Sequence, residues 1–425
     1  MASIRNLPVL QNWDCHQCGS CCTDYWVPVS DEERARIEAQ GWHNEPEYKG
    51  VKLFVGYGPP WRRKYRLAQT AGDRCIFLND QGLCKIHAKF GLEAKPFACR
   101  LYPYILVPHG DHWRVSMRFA CPSATANKGR SLEAAQDELN LLAQEMEKWD
   151  EKPGYKRASG PGLGDPPRMH GTQRTSWNDL HLFQNALLII LKDSRSSMPR
   201  RWLKCLALAR ICRQARFEQI SGGRLREFLD LMLTAVDAEV PRNLDRLGAP
   251  GWIGRVLFRQ SLAIHIRKDQ GVRRVISKDG RIALLRAMWR MVQGTGNLPR
   301  LQVGLPDRPF ADFEQPLGEL PASAVDVLER YYTIKLGSLQ FCGPTFYDYT
   351  FWEGVEALAL TLPMIQWLCR GYRELGQPEA THKAVTIIDE NFGYNPLLGS
   401  SRQRFGLWIL SFRRELDRLI AWYGR

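Results

Sequence analysis

Four cysteines fall within eight residues, in the stretch CHQCGSCC at positions 15–22 (Cys15, Cys18, Cys21 and Cys22). Nothing else in the chain restricts its folding so tightly. Adjacent cysteines make a poor disulfide: the bond needs Cα atoms about 4.4–6.8 Å apart, and neighbours sit at about 3.8 Å with diverging Cβ vectors. Thiols two residues apart converge naturally on one centre, so the spacing points to metal. Gly19 relieves crowding where the backbone must curl round that centre. The surrounding loop is too polar to bury four thiols as hydrophobes.

Eight of the twelve cysteines lie in the first 121 residues; the rest of that set are Cys75, Cys84, Cys99 and Cys121. Cys121 precedes a proline, as distal cluster ligands often do, and is the natural fourth donor for Cys15, Cys18 and Cys21. Cys22 turns away from Cys21 in an extended backbone and can join Cys75, Cys84 and Cys99. Eight thiols suffice for two four-ligand sites, and equally for one site with spare cysteines. Zinc and iron both take thiolates; three close thiols with a distal Cys-Pro favour [4Fe-4S] over zinc. His87 sits at ligand spacing from Cys84, a position that also suits a helix residue outside the ligand set. Cys205, Cys212, Cys342 and Cys369 are scattered through apolar helical patterns and read as small buried hydrophobes.

With 425 residues the chain is long enough for two or three domains. Its period pattern predicts a mainly α protein: a small, loop-rich, metal-bound N-terminal domain with short strands (1–128), a helix and Gly/Pro-rich linker (129–176), and a multi-helix domain (177–425). In the first, Ser30 and Glu33 form a capping box for a helix over 30–41 that Gly41 stops. The runs KLFVGYG, RCIFLN and YILVPHGDHWRVSMRF read as β-prone. SLEAAQDELNLLAQEMEKW (131–149) is helical, and 150–176 is linker by composition. Beyond it, helix spacing recurs over 177–193, 198–220, 223–240, 281–294, 323–337, 351–373 and 402–425, with Pro321 and Pro378 as starts and Gly294, Gly337 and Gly376 as stops. The longest apolar run, VEALALTLPMIQWLC (355–369), is broken by Glu356, Pro363 and Gln366. It falls short of the roughly 20 residues a membrane span needs, so it is a buried helix. No secretory leader is evident at the N-terminus, and twelve cysteines then suit a reducing, cytoplasmic setting.

The formal charge of +14, from 59 Lys+Arg against 45 Asp+Glu, favours acidic partners: nucleic acid, an anionic membrane or an acidic protein surface. Basic residues crowd 192–216 and 255–290, but alternate with apolar ones at helix spacing, as on any amphipathic helix; nucleic-acid binding is the weaker reading. No Rossmann fingerprint, P-loop, GxSxG elbow or HExxH occurs, and GPGLG in the linker has no strand before it. In CRLYP (99–103), Arg100 can steady a thiolate centre or hold a carboxylate, and Tyr102 with Tyr104 can wall a pocket for a cation. These are the candidate cofactor-binding residues; packing over the cluster is the plainer account of them.

The assembled pattern resembles the bacterial CxxCxxCC family, a zinc- or iron-chelating domain. The resemblance rests on CHQCGSCC, on CIFLNDQGLCKIHAKFGLEAKPFACRLYPY and on CPS, and covers residues 15 to about 123. Within that group the layout is similar to flagellin lysine N-methylase: a Cys-Cys pair followed by aromatics (CCTDYWVPVSDEE), a later ACPS element and a long helical remainder. This resemblance implies a [4Fe-4S] cluster, S-adenosylmethionine as cofactor, and methyl transfer to a protein substrate with accessible lysines. Residues from 177 on carry no motif that matches it. A non-enzymatic zinc, iron or redox-sensing module stands as the alternative.

Overall fold

The structure, a computed structural model, describes residues 3–8, 10–70, 72–148, 164–215, 220–268 and 280–425. The cysteine region starts with a short helix α1 (Ser20–Asp24), strand β1 (Pro28–Val29) and helix α2 (Asp31–Ala39). Ser30 and Glu33 form the expected reciprocal cap on α2, and Gly41 follows its end at φ 75°. Glu33 also accepts the Phe97 N–H at 2.5 Å, which ties α2 to a later helix. β2 (Phe54–Tyr57) and β3 (Lys64–Leu67) complete an antiparallel sheet in the order β1-β3-β2.

RCIFLN forms no strand. Its backbone is used in turns, with Leu78 N–H donating to Cys75 C=O and Lys85 N–H to Phe77 C=O, leaving only single bridges Gln69–Cys75 and Leu78–Cys84. Helices α3 (Lys85–Phe90) and α4 (Phe97–Leu101) follow. A small apolar core of Val29, Ile37, Trp42, Tyr48, Leu67, Phe77 and Ile86 lies beneath this part.

The third β-prone run folds as a hairpin, β4 (Tyr104–His109) and β5 (His112–Met117), paired from Tyr104–Met117 to His109–His112. Gly110 takes the left-handed turn position at φ 63°. β5 is buried on both faces. Trp113, Val115 and Met117 enter the main core, while the alternate residues meet polar partners: Arg114 bonds Gln184 Oε1 and Gly337 C=O, and Ser116 bonds Gln340. Next come α5 (Pro122–Thr125) and α6 (Gln136–Lys148). Much of the expected linker, residues 149–163, lies outside the described residues.

The remainder is helical: α7 (Trp177–Leu191), α8 (Met198–Gln214), α9 (Gly222–Glu239), α10 (Trp252–His265), α11 (Gly280–Gln293), α12 (Phe310–Phe313), α13 (Ala322–Ser338), α14 (Phe351–Gly371), α15 (Glu379–Asn391), α16 (Ser401–Phe412) and α17 (Glu415–Tyr423). The protein is therefore mainly α, with its few strands in the N-terminal part. α14 is the buried axis, packed by α8, α12, α15, α16 and α17. Among the described residues no helix is long and apolar enough to cross a membrane. Pro321 and Pro378 do precede α13 and α15.

In the helical remainder two further expectations fail. Gly337 lies inside α13, where its carbonyl serves Arg114 and Gln184, and the left-handed cap falls to Leu339 at φ 62°. The stretch 402–425 is two helices, because Arg414 adopts φ 56° and redirects the chain.

One continuous core runs from Ile4 and Trp13 through Phe97, the hairpin and Ala124 to Tyr423. The smaller core thus draws on residues 29–86, and the larger on Ile4, Trp13 and residues from Phe97 on. Buried polar bonds bolt the hairpin and α5 to the helices: Lys335 Nζ donates to Met117 C=O at 3.0 Å, Ala120 N–H to Asp389 at 3.2 Å, and Arg330 to Thr125 C=O at 2.8 Å. Lys335 and Asp389 form an ion pair at 2.5 Å with both side chains fully buried.

Candidate metal centre

Gly19 caps α1 in the left-handed region, at φ 70°, and this turn brings Cys21 and Cys22 into one helical turn with their sulfurs 3.9 Å apart. The local backbone is therefore helical, not extended. The Cys22 carbonyl accepts the Cys75 N–H at 2.6 Å, which fastens the first cysteine run to the second. Cys84 caps α3, Cys99 lies in α4 and Cys121 caps α5. Short helices thus aim these thiols from several directions.

Each pair among Cys22, Cys75, Cys84 and Cys99 is close enough for one member to raise the other's pKa by charge. Burial is the larger effect: it pushes Cys75 up to about 12 and Cys99 well above the ordinary thiol range. Cys21 is raised, first by its hydrogen bond to Cys22 and then by burial, while that same bond lowers Cys22 to about 7. Cys15 lies within electrostatic range of Cys21, and Cys18 of Cys121. Cys15 and Cys18 are exposed, whereas Cys121 is buried.

Do these residues suit a metal? Several backbone N–H groups favour thiolate at the sulfurs: Phe77 at Cys75, His87 and Ile86 at Cys84, Ala124 and Ser123 at Cys121. Trp13 Nε1, buried and otherwise without a partner, lies close enough to Cys121 to favour its thiolate too. Lys95 stands among the thiols. Burial alone would lower it, but Cys99, Cys84, Cys15 and Cys21 outweigh that and raise it. An N–H-supported thiol array beside a cation matches the anionic charge of a metal–tetrathiolate unit. As placed, the sulfurs surround a region rather than close on a point: among the described residues no three Cys, His, Asp or Glu side chains are grouped to hold an ion.

The other candidates are engaged within the chain. Arg100 pairs with Glu145 at 2.5 Å and Glu93 at 3.6 Å, and donates to Lys95 C=O. The Tyr102 ring packs on Tyr25, 5.6 Å away, and lies within electrostatic range of Cys121 and Cys21. Its face is turned to the chain's own cation, Arg118, which also lies over Tyr25 and Tyr394. Tyr104 packs edge-on against Trp13 at 5.0 Å. His87 is exposed on α3 and contributes its backbone N–H to Cys84. Cys205, Cys212, Cys342 and Cys369 are buried in the helical body.

Sequence reasoning missed Lys95, Arg118 and Trp13. Lys95 was visible in the Lys-Pro step of EAKPFACR, and Arg118 three residues before Cys121; nothing in the sequence marks Trp13 apart from its nearness to Cys15.

Comparison with known proteins returns no match among curated proteins and none among solved structures. A family model does match, over residues 14–125, about a quarter of the chain. That segment is a match to the CxxCxxCC family, described as "Putative zinc- or iron-chelating domain".

Proposed function

We propose that residues 14–125 hold two metal centres, one of Cys22, Cys75, Cys84 and Cys99, the other of Cys15, Cys18, Cys21 and Cys121. What supports the reading is that all four thiols of the first set lie within charge range of one another, with Cys18 near Cys121 and Cys15 near Cys21 in the second; Cys21 also lies against Cys22 and Cys99, so the two sets adjoin there. The first set is half-buried, less open than Cys15 and Cys18, and suits a structural role. The second is open to solvent through Cys15 and Cys18 and walled on its buried side by Tyr102. Openness suits a working centre, which we read as [4Fe-4S].

On that reading the resemblance to flagellin lysine N-methylase supplies the concrete activity: transfer of a methyl group to a lysine of a protein substrate. S-adenosylmethionine, when bound, would supply an electrophilic methyl group. The chain's part is to hold the open set in place through Trp13 and Tyr102, while Arg100 braces α4 against α6 through Glu145. The alternative, a redox-sensing module, draws on the same exposed thiols.

Anaerobic purification with iron, sulfide and zinc counts tests the first statement. A brown protein with about four iron per chain supports the cluster, and Cys18→Ser then removes the iron while Cys22→Ser removes the second metal. Colourless protein holding only zinc overturns the iron–sulfur reading. Loss of the same metal from both variants overturns the two-set division. S-adenosylmethionine binding and a one-methyl mass gain on a lysine-rich acceptor test the methylase. Without either, the enzyme reading fails.

A further inference from the structure

In the helical body, α10, α11 and α16 line a groove of about 360 Å³, whose lining includes Leu257 and Ile264 of α10, Met288 of α11 and Phe405 of α16. The outward faces of α11 and α16 are unusual. On α16, Phe405, Trp408 and Phe412 point to solvent at helical spacing, 61%, 50% and 73% exposed. On α11, Ile282, Leu285 and Trp289 do the same, each more than three-fifths exposed. Large apolar side chains scattered singly over a surface need no explanation; two such stripes on helices that line one groove do.

Charge narrows what covers these stripes. α10, α11 and α16 contain no aspartate or glutamate, while Arg286 and Arg290 flank the α11 stripe and Arg402 both precedes the α16 stripe and lines the groove. Helices that lie in a membrane interface carry this combination: aromatic and aliphatic residues on one face, arginines beside them. The arginines would then sit at phosphate level, where anionic lipid attracts them. Nucleic acid fits less well. Phe405, Trp408 and Phe412 are stacked on one another (5.6 Å at 19°, then 5.1 Å at 14°), so both faces of Trp408 and the inner faces of the two phenylalanines are already taken. Bases need free faces.

We propose that the α11–α16 face docks the protein on an anionic phospholipid surface, with the aromatic stripes in the interface and the arginines at the headgroups. No span is involved; the contact is peripheral. The proposal is independent of the metal centres.

The test is co-flotation of the full-length, metal-loaded protein with vesicles of phosphatidylcholine alone or mixed with phosphatidylglycerol, at low and high salt. The expected result is binding to the anionic vesicles at least about tenfold over neutral ones, weakened by salt. Trp408→Ser with Phe412→Ser lowers it by about tenfold or more, with metal content unchanged. Arg402→Glu, an exposed change that spares the core, lowers it as well and covers the case of a misfolded double variant. The proposal is overturned by binding that ignores lipid charge, by no binding, or by binding that survives Arg402→Glu. It is equally overturned if the double variant splits a solution dimer, which would make a second copy the occupant. Oligonucleotide binding through the same residues without vesicle binding would also sink it.

Discussion

At residue scale, the most consequential pair is Lys335 with Asp389. Both side chains are fully buried, and burial lowers Lys335 while Asp389 restores part of the loss. Removing one partner strands the other charge, so Lys335→Met destabilises by about 3–5 kcal/mol, read from denaturant unfolding. Replacing both partners together with Met and Leu costs less than the sum of the two single changes, since neither charge is stranded by the loss of the other, although the Met117 C=O and Ala120 N–H lose their partners. Glu356 makes a pH prediction. Buried on α14 beside Arg213, it is raised to about 7, with desolvation outweighing the arginine. Its folded value lies above the unfolded one of about 4.3, so the folded chain binds the proton more tightly between them. That contribution is full below about pH 4 and is lost as pH rises through about 7. Glu356→Gln therefore flattens the stability–pH slope between those values, whatever it does to the absolute level. An unchanged slope would place the titration elsewhere.

At the scale of elements, residues 11–14 run antiparallel to 128–132, with Trp13 N–H bonded to Arg130 C=O and Asp14 N–H to Lys128 C=O. The strip places Trp13 beside Cys121 and leads directly into Cys15. Gly129 makes the close pass possible: a Cβ there would stand 2.3 Å from the Asp14 nitrogen, on a backbone at φ 114°. Gly129→Ala thus costs about 2–3 kcal/mol and, on the two-set reading, loosens the metal held by Cys15, Cys18, Cys21 and Cys121 while sparing the other; metal analysis of the variant checks it. How much of this could be read beforehand varies by element. The α2 cap and the starts of α13 and α15 were legible because each is decided within a few residues. The strands of the hairpin were legible as a β-prone run, though its division into two strands at Gly110-Asp111 was not called. RCIFLN was misread because its composition suits a strand but its carbonyls and amides are spent on turns around the cysteines. The break at Arg414 was invisible, since nothing at that position disfavours helix and packing against α10 and α14 decides it. The cysteine clustering was legible as a chelating pattern, and the family match over residues 14–125 agrees with it at that level. The groups around it were less so: Lys95 showed only as a Lys-Pro step, and Trp13 not at all, because its place beside Cys121 depends on contacts across the fold.

On the scale of the whole molecule, the two cores differ in how they stand without metal. The smaller core, from Val29 to Ile86, is only a few side chains, too little to hold loops of that length unaided. The larger one includes the hairpin and every long helix. Chelation of the anaerobic protein should therefore unlock residues 20–95 to hydrogen exchange and proteolysis while α7–α17 stay protected. Uniform loss of protection across the chain would mean that metal supports the helical body too. The ion pair of Lys335 and Asp389 also sets an order of events during synthesis. Ala120 leaves the ribosome 269 residues before Asp389, the carboxylate that receives its N–H. A nascent chain can gather its cysteines early, but the seat beneath them is finished only when α15 emerges. Premature termination before that helix leaves Ala120, and with it the turn into Cys121, without the carboxylate that anchors it.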